Sequence, residues 1–468
     1  MSKVFDLFII GGGINGAGIA RDAAGRGLSV CLADKGEIGG ATSSWSTKLI
    51  HGGLRYLENY EFKLVRESLK EREIVYKIAK HISRPIPFII PHTDKIRPAW
   101  LIKFGLFLYD NLGGKTNIPK SKTYDLVKKF PNILKEKYKT GFQYFDIQID
   151  DKKLTKLNAK DAKRNKAKIL EYNKVKKAEI IGNEWIISLE KGEKVKSKIL
   201  INASGPWINE TLNKNIKIKS KKKIRLVKGS HIITKKLYKE DVAFTFQNTD
   251  KRIIFVIPYK RKFSLIGTTE IEVKSPENKG ISKKEIRYLI SSVNNYLKKQ
   301  ITSKDIVDTY SGIRPLIEDF KTASKVTRDY VFDLKIIKKL PLLNIYGGKL
   351  TTYRKLSEKV LIDLEKFTEA HNALKLLNVP TKQADKFNLL GFTARKSGDL
   401  ESAESYYLRA LEINPKHVRA LEYQGELFLQ LGKVADAKQN LEKIQRICWL
   451  PCNEEKQLEE AIELALKN

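Results

Sequence analysis

Three cysteines among 468 residues are too few to brace a fold of this size with disulfides. Cys31 falls in an apolar run, where a thiol acts as a small hydrophobe. Cys448 and Cys452 stand four apart with no third or fourth ligand nearby, so no metal site is expected. No apolar stretch approaches the ~20 residues of a membrane-spanning helix. The first ten residues hold one lysine, a short apolar run and no cleavage site, the pattern of a first strand and not of a secretion signal, which points to a cytoplasmic-side protein. Acidic residues are scarce against basic ones, 54 to 89, which leaves a formal charge of +35. Such an excess raises nucleic acid, an anionic membrane or an acidic substrate as partners. The densest basic run, Lys214 to Lys228, lacks the interleaved aromatics of a surface that stacks bases, so nucleic acid is not expected. Residues 366 to 468 balance 15 basic against 15 acidic side chains, so the whole excess lies before them.

What the chain does have is glycine in one place. Leu7 to Ile10 is an apolar run too short for a helix and reads as a buried parallel strand. Gly11, Gly13 and Gly16 then fit G-x-G-x-x-G: the first permits a tight turn, the second lets backbone approach a pyrophosphate, and the third packs helix on strand. The helix they open runs from Ile14 to Arg26, with Asn15 in its first turn, and its unpaired N–H groups favour a diphosphate. Gly27 stops it, Leu28 to Ala33 is the next strand, and Asp34 ends that strand where a carboxylate can meet ribose hydroxyls. The following loop, Gly39 to Lys48, is small and rich in hydroxyls (Thr42, Ser43, Ser44) and suits a pyrophosphate and a flavin. No second G-x-G-x-x-G occurs, so a nicotinamide reductant is not expected.

Further on, Asn59 to Ile82 carries apolar residues at helical spacing, and Pro87 to Pro91 reads as a strand. Arg97 to Leu112 is strongly apolar and aromatic. It predicts a buried core helix, with a membrane-interface seat as the sharper alternative, Trp100 and Tyr109 lying at headgroup level. Strand-like pieces at Trp185 to Leu189 and Lys198 to Asn202 lead into Ala203-Ser204-Gly205, expected to return to the adenosine side of the dinucleotide fold. Residues 224 to 310 alternate apolar and polar, which suits an antiparallel sheet. Past Phe367, residues Phe387, Gly391, Ala403 and Tyr407 recur 34 residues later as Leu421, Gly425, Ala437 and Leu441, the period of a helix-pair repeat.

Several segments resemble the FAD-dependent, respiratory-type glycerol-3-phosphate dehydrogenases over residues 1 to about 365. They are Ile9 to Ala20, Lys48-Leu-Ile-His-Gly-Gly-Leu-Arg-Tyr-Leu57, Arg97-Pro-Ala-Trp100, Lys228-Gly-Ser-His231, Gly267-Thr-Thr269, Ser311-Gly-Ile-Arg-Pro315, Thr327-Arg-Asp-Tyr330 and Gly347-Gly-Lys-Leu-Thr-Thr-Tyr-Arg354. Asp150-Asp151 also resembles a family motif, but Lys152-Lys153 follow where a small residue and an arginine belong, which weakens a role there. The family's usual C-terminal domain is absent from the pattern, and the C-terminal segment resembles tetratricopeptide repeats, with a protein as their partner.

The resemblance implies an α/β fold: a Rossmann-type FAD-binding domain (1–82, 151–215, 306–366), an antiparallel-sheet substrate domain (83–150, 216–305), and an all-α tetratricopeptide-repeat segment (367–468). It implies oxidation of glycerol 3-phosphate to dihydroxyacetone phosphate by hydride transfer to FAD, electrons passing to a quinone at the inner face of the cell membrane. A homodimer is compatible with it. Arg55, Tyr56, Lys349 and Arg328 are expected to bind substrate, since arginine grips phosphate as a fork and lysine as a point charge. His231, Arg314 and His51 are the expected catalytic residues, His231 as base. Ser204, Gly348, Leu350 and Thr351 join the glycine turn in holding FAD, with a helix opened by Gly347-Gly348 stabilising the reduced flavin. An oxygen-using oxidase, an amino-acid oxidase, and a non-catalytic interaction protein with a degenerate flavin domain are the alternatives. Three cations favour a phosphate over a lone carboxylate.

Overall fold

The computed structural model describes residues 3–93, 97–220, 222–250, 252–277, 280–317, 330–376, 383–396, 399–448 and 452–466. The chain forms two compact units, one of Met1–Glu179, Trp185–Phe332 and Asn344–Glu358, the other of Ile180–Glu184, Asp333–Leu343 and Lys359–Asn468.

In the first unit the opening strand Val4–Ile10 lies between Val30–Ala33 and Lys194–Asn202, all parallel, and Lys168–Leu170 continues the sheet beyond Val30–Ala33. Phe8, Ile9, Val30, Leu32 and Ile201 are wholly buried there. Each such side chain is worth ~1.5–3 kcal/mol of transfer free energy, which is why these strands read as unbroken apolar runs and not as alternating ones. The glycine helix, Ile14–Gly25, follows the first strand directly. Gly11 sits at φ +106°, and a Cβ on it would lie 2.6 Å from the Ala203 carbonyl oxygen; a Cβ on Gly16 would overlap the Gly11 carbonyl. The segment after Asn202 does return to the turn, as expected: Ala203 N–H donates to the Ile10 carbonyl at 2.9 Å, and the Ser204 hydroxyl donates to Asn202 at 2.7 Å.

The first unit also holds a ten-stranded sheet. Its longest pair is Ile224–Lys235 with Ile306–Ile317, antiparallel, setting Lys228 opposite Ile313 and Gly229 opposite Gly312. The ten-stranded sheet is therefore largely antiparallel, as the alternation predicts. Among the described residues Ala243–Gln247 beside Ser83–Pro91 is its parallel pairing. One expected boundary moves. Residues from 306 do not yet rejoin the parallel sheet; the strand through Ile317 belongs to the ten-stranded one, because its partners on Ile224–Lys235 continue to Ile224.

The apolar segment forms the helix Ala99–Asn111. Ile102, Leu106 and Tyr109 are buried, while Trp100, Phe104 and Phe107 are 68%, 53% and 62% exposed. Tyr109 is thus in the core and not at a headgroup level, held by hydrogen bonds that an interfacial position would forfeit. No described helix is long and apolar enough to cross a membrane.

In the second unit, described by itself, the helix pairs Gln383–Lys396 with Leu400–Ile413 and Val418–Gln430 with Val434–Ile447 stand where the 34-residue period puts them, and Asn453–Leu466 follows as a cap. The repeat glycines sit at close helix crossings: a Cβ on Gly425 would lie 2.6 Å from Leu458 of the cap helix. Cys448 and Cys452 are joined as a disulfide, a pairing not expected from the sequence. Buried Cys31 is free, its thiol pushed up to about 12 by burial.

Candidate functional site

A cavity of about 590 Å³ runs from the glycine turn to the ten-stranded sheet. At the turn, Gly11, Gly13, Ile14 and Asn15 line it together with Asp34, Thr42, Ser43 and Ser204. The Asp34 carboxylate accepts from the backbone N–H groups of Gly12 at 2.6 Å and Gly36 at 2.8 Å, fixing the turn as well as facing the cavity. Ser43 accepts from Ile14 N–H at 2.8 Å, and Thr42 donates to the Ile313 carbonyl at 2.8 Å. Two expected cofactor residues do not line the cavity. Gly16 packs behind the turn, and Ser44 is buried with its hydroxyl on the Gly39 carbonyl.

At the other end His51, Arg55, Tyr56, His231, Arg314, Gly348, Lys349, Leu350 and Thr351 line the same cavity. Arg55 and Tyr56 ride on a short 3-10 turn, Leu54–Asn59, entered through Gly53 at φ +75°. The Lys349 ammonium lies 4.4 Å from the centre of the Tyr56 ring, which brings the loops of Arg55 and Lys349 together. His51 and Thr351 are tied as well, His51 N–H donating to the Thr351 hydroxyl at 3.2 Å. The Arg314 guanidinium faces Glu270 at 3.4 Å and Thr268 at 3.4 Å. The expected helix behind Gly347-Gly348 begins only at Tyr353, because both glycines are left-handed, at φ +74° and +98°. Arg328 lies outside the described residues.

His231 is 2% exposed and lies on the strand Ile224–Lys235. Its ring stacks on Tyr310 at 4.7 Å, Nε2 is 3.1 Å from the Thr47 hydroxyl, and Nδ1 is buried without a hydrogen-bond partner among the described residues. A Cβ on Gly267 would overlap this ring, so glycine there makes the room. Burial, helped by the positive charges of Arg314 and Lys48, pushes the imidazole down to about 3, so it is neutral.

Sequence reasoning missed three supports. Asp151, left without a role, is buried and holds Lys48 at 2.7 Å and the Ser46 hydroxyl at 2.6 Å, pinning the hydroxyl-rich loop. Asp146 pairs with Arg72 at 3.1 Å, both buried. Glu285 gathers the matched motifs from behind, accepting from Ser230 at 2.7 Å, Thr269 at 2.9 Å and Lys228 at 3.0 Å. Burial works to raise its carboxyl, and the hydrogen bonds from Ser230, Ser282 and Lys228 outweigh it, holding it at about 2. The sequence carried a signal for two of them: Asp151 lies in a pair that resembles a family motif, and Glu285, three residues after Ser282, makes a capping box.

The family description "FAD dependent oxidoreductase" matches residues 6–353, and "Tetratricopeptide repeat" matches residues 384–417. The chain is 46% identical over 363 residues to D-erythritol 1-phosphate dehydrogenase of Brucella abortus, covering 76% of this chain and 72% of that one. It is 45% identical over 377 residues to the aerobic glycerol-3-phosphate dehydrogenase of Escherichia coli, covering 79% and 74%. Its fold is similar to that of the glycerol-3-phosphate dehydrogenase of Bacillus halodurans complexed with FAD, at a TM-score of 0.58 and 24% identity, covering 99% and 95%. The residues present fit a flavin dinucleotide: a glycine turn whose Gly11 and Gly13 line the cavity, a buried Asn15 Oδ1 without a partner among the described residues, and one continuous cavity. Over residues 6–353, therefore, the chain belongs to the family of FAD-dependent oxidoreductases.

Proposed function

We propose that this chain oxidises sn-glycerol 3-phosphate to dihydroxyacetone phosphate, with the parallel sheet holding FAD and the ten-stranded sheet roofing the substrate. The observation that carries the reading is the company Arg55 keeps. It lines the cavity with no ion pair among the described residues, beside Tyr56 and within the same walls as Lys349 and Arg314. Glu58, Asp146 and Glu270 line the same cavity but are paired with Arg97, Arg72 and Arg314, which leaves Arg55 to meet a phosphate dianion; each charge-assisted hydrogen bond is worth ~1.5–3 kcal/mol.

Arg55 and Lys349 grip the phosphate, and Arg314 completes the positive wall. Bound beside the glycine turn, FAD would supply the hydride acceptor for the secondary alcohol carbon. His231 takes the hydroxyl proton: its imidazole is neutral and shielded from water, which leaves it able to accept. Its low proton affinity in the empty cavity is partly the work of Arg314 and Lys48. A phosphate dianion in the pocket offsets those charges and raises the affinity when the proton must be received.

The acceptor is a membrane quinone, with the protein seated on the inner, anionic face of the cell membrane. The exposed face of Trp100, Phe104 and Phe107 supports this, and so does the formal charge of +35. The repeat unit supports a protein partner for the C-terminal segment. A second substrate reading, a four-carbon polyol phosphate, is favoured by the Brucella relative. Steady-state assays with glycerol 3-phosphate, D-erythritol 1-phosphate and glycerol, each with a soluble quinone and with oxygen, separate these. The proposal expects both phosphates to beat glycerol, glycerol 3-phosphate to have the highest kcat/KM, and quinone to outpace oxygen. Equal turnover of glycerol would refute a phosphate pocket.

A further inference from the structure

The segment Arg97 to Asn111 touches the loop of Arg55 and Tyr56 at two places, one on each side of those residues. On the near side, the buried N–H of Gly52 donates to Tyr109 Oη at 2.7 Å, and the Tyr109 hydroxyl donates to Asp146 Oδ1 at 2.7 Å. Arg72 fixes Asp146 by their ion pair and donates to the Phe145 carbonyl at 2.7 Å. On the far side, the Glu58 carboxylate accepts from Arg97 Nη2 at 2.8 Å, while Arg97 Nη1 donates to Gln247 at 3.0 Å.

Between these ties the chain runs through Gly52 and Gly53. Glycine has more backbone freedom to lose than any other residue, so the shape that aims Arg55 has to be imposed from outside the loop. Tyr109, Arg72 and Asp146 are 2%, 5% and 4% exposed, and a buried polar network of this kind admits few arrangements. Tyr109, Arg72 and Arg97 do not line the cavity, so none of the three can touch a ligand there.

We propose that Tyr109 and Arg97 are positioning residues for anion recognition, setting how tightly the cavity holds a phosphate by fixing the loop at Gly52 and Glu58. This rests on the phosphate reading above. It predicts a particular separation of effects: weaker anion binding with the flavin, its environment and the chemical step intact.

The test uses the FAD-loaded full chain and inorganic phosphate, read as a shift in flavin absorption and as competition against glycerol 3-phosphate. Tyr109→Phe keeps the ring and removes one hydroxyl; Arg97→Met removes the fork. Each is expected to weaken phosphate binding and raise KM about tenfold, in parallel, leaving kcat and FAD content unchanged. Arg97→Lys recovers part of the loss, since an ammonium reaches one partner and not two. Lys103→Ala, on the exposed face of the same helix, changes neither quantity. Phosphate affinity equal in wild type and Tyr109→Phe, with only the melting temperature lowered, makes the network a brace and overturns this inference alone. A wild-type protein that binds no phosphate overturns the substrate reading and this inference with it.

Discussion

At one end of the cavity Gly11, Gly13, Ile14 and Asp34 come from one short stretch of chain and present mostly backbone; at the other, Arg55, His231, Arg314 and Lys349 come from four distant segments and present side chains, three of them charged. The first end is a shape that the main chain takes up by itself once glycine allows it. The second exists only after distant stretches of chain have been brought together: Arg55 stands on a short turn, His231 and Arg314 on two paired strands, and Lys349 on a loop beside Tyr56. Damage to the first should therefore cost the cofactor, and damage to the second should spare the cofactor and cost the substrate.

The sharpest break in that division comes from Gly16→Val. Its Cβ would overlap the Gly11 carbonyl, so the turn cannot close, and the protein should purify colourless. His231→Asn should come next, leaving the yellow band in place while kcat falls by ~10²–10⁴, the range for a lost general base. Arg55→Met should keep both flavin and kcat and raise KM for glycerol 3-phosphate by about 10–150-fold, following the strength of a charge-assisted hydrogen bond. If Arg55→Met also loses FAD, the two ends are not separable and the comparison fails.

The smallest effect is thermodynamic. His231 is held at about 3 in the folded chain against 6.5 unfolded, so between these values the unfolded chain binds more protons. Stability contributed by the neutral ring is complete above 6.5 and falls as the pH drops toward 3, by at most ~1.4 kcal/mol per unit. Thermal melts at pH 7.5 and 5.5 should show wild type losing more than His231→Asn. Glu285 acts lower, its contribution complete above 4.5 and lost toward about 2.

The same contrast governs what could be read before folding. Strand, glycines, helix and Asp34 lie together in sequence, and each has a local reason to be where it is. The repeat unit was legible for the same reason, since its 34-residue period pairs near neighbours. At the substrate end the cations could be named from motifs that resemble a known family, but their supports could not. Asp151 reaches back to Lys48, Asp146 to Arg72, and Glu285 to Ser230, and no periodicity links those positions. The helix Ala99–Asn111 shows the limit most plainly. It is apolar nearly all round, so no stripe told the core-facing Tyr109 from the exposed Trp100; a single buried carboxylate, Asp146, decides it. The strand Ile306–Ile317 went to the ten-stranded sheet because its long partner was there, a pairing fixed only by tertiary contact.

Anaerobic addition of glycerol 3-phosphate to the purified, yellow protein reaches the centre of this account, that one cavity sets a phosphorylated alcohol against a single FAD. The flavin band should bleach in proportion to added substrate, with no nicotinamide present. A band that persists under excess glycerol 3-phosphate, yet fades with a nicotinamide reductant, would contradict it.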